Sequence, residues 1–138
     1  MPAIAGKAVN VFFSSSALNN PNFQVDSEGN NGWSPSGRGD AFVGVTSTIL
    51  QTYYALDVKS LQGSTLSSFA LQFSLDGNRY QDIDDFQMGQ YFVGSVKTFY
   101  FKPVYAKSIR LVVRQGTPNI KFEFYYSNAS SLGQEVRR

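Results

Sequence analysis

Apolar and polar residues alternate with a period of two through much of this chain. Phe69, Leu71 and Phe73 alternate with Ala70, Gln72 and Ser74, the pattern of a strand with one buried face. Asp76-Gly77 follows. That pair is a strong turn signal, because glycine tolerates the positive φ such turns need. Tyr80 then begins a return strand. Val9, Val11 and Phe13 alternate in the same way. Phe42–Thr46, Ile49–Val58, Tyr91–Val93, Thr98–Phe101, Ser108–Arg114 and Ile120–Tyr126 complete the predicted strands. Pro103 is expected to interrupt, since proline cannot donate to a ladder.

Between these runs lie Lys59–Thr65, a turn containing Gly63, and Gly116-Thr-Pro-Asn119. Asp82, Asp84 and Asp85 read as an acidic turn. The stretch from Ser14 to Asp40 is polar and long for a loop, which marks it as a functional segment or a disordered one. No sustained three-four apolar spacing exists, so helix is not expected. Short strands with turn signals between them predict an all-β jelly-roll sandwich of about eight strands. One domain is expected over residues 1–127, with a polar tail at 128–138. With 138 residues, such a domain buries roughly two-thirds of its unfolded surface.

Composition removes several chemistries. The chain has no cysteine and no histidine. Disulfides, thiolate metal sites, cysteine nucleophiles, Ser-His-Asp triads and histidine switches are therefore excluded. An enzyme is not expected. The formal charge is +2, too small for nucleic-acid binding driven by charge. Twelve Phe and eight Tyr favour strands and leave rings for a binding surface. No run of about 18 apolar residues spans a membrane. Met1-Pro-Ala-Ile-Ala-Gly-Lys lacks a basic region followed by an apolar core, so it does not read as a signal peptide. A cytosolic protein, one exported without a signal and an excised domain all fit.

The strand and turn of Phe69–Asp82, with its Ser-x-Asp-Gly and following aromatic, resemble the central hairpin of the discoidin domain. That family includes the C-type domains of coagulation factors and many galactose-binding modules. Lys107-Ser-Ile-Arg-Leu-Val-Val resembles its late "Ala-x-x-Ile-Arg-Ile" strand. Ser14-Ser-Ser-Ala-Leu, Asn31-Gly-Trp-Ser-Pro35, Phe42-Val-Gly-Val and Lys102-Pro103-Val104 are similar to further family elements, in order, from about Val9 to Tyr126. Thr46-Ser47 departs from the family's Asp-Leu, and the frequent cysteine pair is absent.

The resemblance implies ligand binding by loops at one end of a sandwich, without catalysis. Three segments would supply that surface: Asn19–Gln24, Val58–Gln62 and Arg114–Asn119. In a lectin-like site Asn22, Arg114, Gln115 and Asn119 would hydrogen-bond hydroxyls, with Phe23 as the apolar contact. Glycans or glycoconjugates are the expected partners. Oligomerisation or tandem domains would supply avidity. In the alternative, a phospholipid-binding module, Phe23 and Leu61 would enter an anionic membrane surface while Lys59 and Arg114 meet phosphates. A protein-interaction or adhesion module is the third reading, and Arg38-Gly39-Asp40 spells the tripeptide that integrins recognise. No cofactor is required. Asp26 and Glu28 are the candidates for a structural Ca²⁺, because many family members hold an ion in the early loops. Trp33 is expected as a buried anchor beside Pro35 more than as a sugar platform. Arg110, in mid-strand, is expected in an ion pair or bonded to backbone.

Overall fold

The computed structural model describes residues 3–4, 9–13, 32–35 and 41–128. Seven strands form within them: β1 Ala3–Ile4, β2 Val9–Phe13, β3 Phe42–Ser60, β4 Ser68–Ser74, β5 Gln81–Gln87, β6 Val96–Gln115 and β7 Ile120–Asn128. Every pairing is antiparallel, and no helix occurs among the described residues. The all-β expectation holds.

The two long strands make the sandwich. The first part of β3 (Val43–Ser47) pairs with β2, and Phe42–Thr46 pairs with the second part of β6. The remainder of β3 pairs with β7 on one side and with the first part of β6 on the other. The second part of β6 also carries β4, which carries β5. The continuous ladder therefore folds into two layers, β5-β4-β6-β3-β2 and β6-β3-β7-β1. Residues 47–50 of β3 sit between the Thr46↔Ser108 and Gln51↔Ala106 pairs. This irregularity marks the crossing from one layer to the other. It explains why the pattern reads as two strands, broken after Thr46, where the chain forms one. Pro103 lies in a second irregularity, between the Tyr53↔Val104 and Ala55↔Tyr100 pairs. Its missing donor is tolerated there because the ladder is already open, so β6 continues through it.

The inward positions of both layers meet in one core. Val43, Val45, Leu71, Ile109 and Leu111 face Leu56, Val58, Phe122 and Phe124, all buried. Phe69 of β4 stacks on Phe86 at 5.5 Å and meets Phe99 of the other layer edge-on at 5.1 Å. Such aromatic contacts add about 0.5–1.5 kcal/mol each beyond their buried area.

Two further sequence expectations change. Asp82, Asp84 and Asp85 lie within β5, exposed on an edge strand, and not in a turn. Charged residues on an edge discourage pairing with another chain. Tyr91–Val93 lies in the loop between β5 and β6, outside any strand. The β4–β5 turn forms as the Ser-x-Asp-Gly pattern predicts. Asp76 Oδ1 accepts from the Asn78 and Arg79 amides at 2.8 and 2.9 Å, and from the Ser74 hydroxyl at 2.9 Å. Gly77 sits at φ +85 and donates its amide to Ser74 Oγ. These donors hold the Asp76 carboxyl well below its ordinary value, at about 2, led by the Arg79 amide.

Candidate binding surface at the loop end

Four segments converge where β3 ends and β7 begins: Gly32–Pro35, Leu61–Ser67, Met88–Ser95 and Gly116–Asn119. Their backbones are tied to one another. Leu61 donates to the Asn119 carbonyl at 2.8 Å, Thr65 to Thr117 at 2.7 Å, and Ser67 to Gln115 at 2.9 Å. Gly94 donates to Ser60 and Met88 to Ser67, at 2.7 and 2.8 Å. The Tyr91 hydroxyl reaches the Ser64 and Leu66 carbonyls, and Lys97 Nζ the Met88 and Gln90 carbonyls. Trp33 exchanges both backbone bonds with Ile120. Gly116 allows the closest approach: its φ is +94, and a Cβ there would stand 2.0 Å from the Thr65 carbonyl oxygen. The result is a set of loops with little freedom to move independently, which lowers the ordering cost of binding.

What projects from this platform differs from the sequence expectation. Phe92 is 84% exposed and Val93 65%, on a loop turned back at Gly94. The strand expected over Tyr91–Val93 is this loop tip instead. The available signal was an apolar run ending directly at a glycine. Arg114 and Gln115 are exposed at the end of β6. With Ser68, Asp85 and Gln87 they line a shallow cleft of about 360 Å³.

Other predicted residues have structural occupations. Leu61 is 5% exposed, so it is not an apolar tip. Its amide is fixed to Asn119, and the loop turns its side chain inward. Asn119 uses its side-chain amide to bond the Gln62 carbonyl at 2.9 Å, holding two loops together. Lys59 is half-buried and follows the inward Val58. It therefore faces outward from the β6-β3-β7 layer. Arg114 follows the inward Val113 and faces outward from the other layer. The two cations proposed to meet one membrane surface thus diverge. Trp33 is fully buried and anchors the core. Arg110 has neither an ion pair nor a backbone bond among the described residues. Its Nε donates to Gln72 Oε1 at 2.9 Å. Asn22, Phe23, Asp26, Glu28, Arg38 and Asp40 lie outside the described residues.

One buried polar group resembles an acid–base site. The Glu123 carboxyl is pushed up to about 7 by burial and by Asp57 beside it. Asp57 accepts from Thr98 Oγ1 and the Tyr125 hydroxyl, both at 2.5 Å. Glu123 is only 4% exposed and lines neither the loop-end cleft nor the one described below. Among the described residues no group of three or more acidic side chains stands together to hold a metal ion.

No family model and no curated protein matches the sequence. Solved structures do match the fold. One is a carbohydrate-binding module of the CBM32 class from Clostridium perfringens, in complex with GalNAc-β-1,3-galactose, with TM-score 0.65 and 16% identity over 86% of this chain and 94% of that one. Another is discoidin II of Dictyostelium discoideum, with TM-score 0.69 and 16% identity over 86% of this chain and 55% of that one. A third is a putative α-L-fucosidase from Bacteroides thetaiotaomicron, with TM-score 0.65 and 21% identity over 91% of this chain. The chain spans only 28% of that protein. These likenesses establish a discoidin-like β-sandwich fold.

Proposed function

We propose that this domain is a non-catalytic carbohydrate-binding module, and that its loop end receives the glycan. The observation that carries the reading is Phe92, a ring 84% exposed on loops otherwise locked by backbone hydrogen bonds. A rigid exposed ring can cover the apolar face of a sugar at little entropic cost. Arg114 and Gln115 supply planar donors and acceptors for hydroxyl pairs. The sugar-bound module of the same fold supports this choice of ligand class. The absence of histidine and cysteine, and the enclosure of Glu123, support binding without turnover. A single shallow site binds weakly, so neighbouring domains or self-association would supply avidity.

The Phe92–Val93 tip also suits a bilayer interface. Burial of Leu61 removes the second tip, and the divergence of Lys59 and Arg114 splits the basic pair, so the glycan reading is the stronger. A glycan array at physiological salt, run beside anionic and neutral liposomes, tests both. The expected result is sugar-inhibited, salt-insensitive glycan binding that falls about tenfold in Phe92→Ala. Salt-sensitive liposome binding with no glycan signal would replace this reading with the membrane one.

A further inference from the structure

A second concave surface lies on the outer face of the β5-β4-β6-β3-β2 layer, away from the loop end. It is a cleft of about 300 Å³ whose walls include Phe12, Phe42, Tyr80 and Arg110. Its centre is a cation in an unusual setting. The Arg110 guanidinium carbon lies 3.8 Å from the centroid of the Tyr80 ring and 4.6 Å from that of Phe42. Phe12 extends the row, 6.0 Å from Phe42. Three strands and a turn thus contribute one aromatic–cation strip.

Among the described residues the guanidinium is fixed but not neutralised. Gln72 Oε1 accepts from Nε at 2.9 Å, and Gln72 Nε2 in turn donates to Asp82 Oδ1 at 2.8 Å. No carboxylate among the described residues pairs with Arg110 itself. The register partner of Arg110 on β3 is Gly44, where a Cβ would stand 2.1 Å from the Ile109 carbonyl oxygen. No side chain therefore stands beside Arg110 at that point. Thr46 and Ser108, also lining the cleft, offer hydroxyls joined at 2.6 Å.

The geometry points to a second binding site, selective for an acidic monosaccharide residue. With Nε engaged by Gln72, the two terminal nitrogens present a planar fork, which matches a carboxylate in bidentate fashion. The Phe12 ring supplies a platform for an apolar sugar face, and Thr46 and Ser108 supply hydroxyl partners. No carboxylate among the described residues completes the half-buried guanidinium, so an incoming anion would gain a charge-assisted pair there. This site is separate from the loop end and stands whether or not that surface binds glycan.

The test is amide chemical-shift mapping of the full chain with D-glucuronate, D-glucose and acetate at equal concentration and ionic strength. Glucuronate and glucose differ only at the C6 carboxylate. The expected result is saturable shifts at Gly44, Gly77 and Arg110 with glucuronate, absent with glucose and at least about tenfold weaker with acetate. Shifts matched by glucose or by acetate, or confined to Leu61–Thr65 and Phe92–Gly94, would overturn the proposal. Arg110→Lys keeps the charge and loses the fork, and should weaken glucuronate about tenfold. Phe12→Ala, which leaves Arg110 intact, gives the second variant. Unchanged glucuronate binding in either folded variant also overturns it.

Discussion

At the loop end, backbone hydrogen bonds, helped by the Tyr91, Lys97 and Asn119 side chains, hold the surface and leave Phe92 exposed. Across the Arg110 cleft the arrangement is reversed: regular ladders form the floor, and side chains hold one another. The first design leaves an exposed ring on a rigid rim, fit for neutral surfaces that need contact more than charge. The second fixes one charge among rings, fit for a ligand that brings its own counter-charge. The comparison teaches that a single sandwich can carry two surfaces held together by separate determinants. Each can therefore be broken without the other.

The largest effect should come from the core that both surfaces share. Phe69→Ala removes the ring that touches Phe86 and Phe99 across the layers. It should cost about 3–5 kcal/mol, measured by urea unfolding, and abolish both binding surfaces together. If one surface survives in an otherwise unfolded ensemble, the two do not share a core.

Next is the loop end alone. Gly116→Ala places a Cβ against the Thr65 carbonyl in a left-handed backbone. It should cost about 1–3 kcal/mol and reduce glycan binding, while the glucuronate shifts at Gly44 and Gly77 persist. Loss of both signals in a folded variant would show the surfaces to be coupled.

A sharper cut comes from the surface residues. Phe92→Ala and Arg114→Ala should each lower glycan affinity with stability changed by no more than about 0.5 kcal/mol. Both side chains are exposed, so no cavity opens. Unfolding by Phe92→Ala would mean that the ring is a structural anchor.

The pH dependence touches neither surface, and its two contributions oppose in sign. The Asp76 carboxyl is depressed from 3.8 to about 2. Its contribution to stability is present above its unfolded value and is lost as pH falls from about 4 to about 2. Glu123 is raised from 4.5 to about 7, so the folded state holds its proton more tightly than the unfolded chain. Stability should therefore decline as pH rises from about 4.5 through about 7. Glu123→Gln should flatten that decline, and Asp76→Ala should flatten the acid limb. Melting temperatures across pH 2–8 check both. An unaltered neutral-range slope in Glu123→Gln would remove the buried carboxyl as its cause.

The sequence by itself determined the class of fold and much of its local construction. The alternation of Phe69, Leu71 and Phe73 makes a one-sided strand anywhere it is placed, because side chains on a strand alternate by geometry. Ser74-x-Asp76-Gly77 closes its own turn through hydrogen bonds within four residues, so it too was legible. The exposed Arg114 and Gln115 followed from the turn after them. What only the tertiary structure decided is where distant residues meet. The direction of Leu61 depends on Asn119, 58 positions away, through one backbone bond. Phe92 looks like a strand residue until the loop is pinned to Ser60 at Gly94. Arg110 reads as a buried mid-strand cation until β3 brings Phe42 and the β4–β5 turn brings Tyr80 against it. Period and turn chemistry are written in neighbouring residues. Contacts across layers and strands depend on register and bulges such as that at residues 47–50, which one-dimensional pattern does not encode.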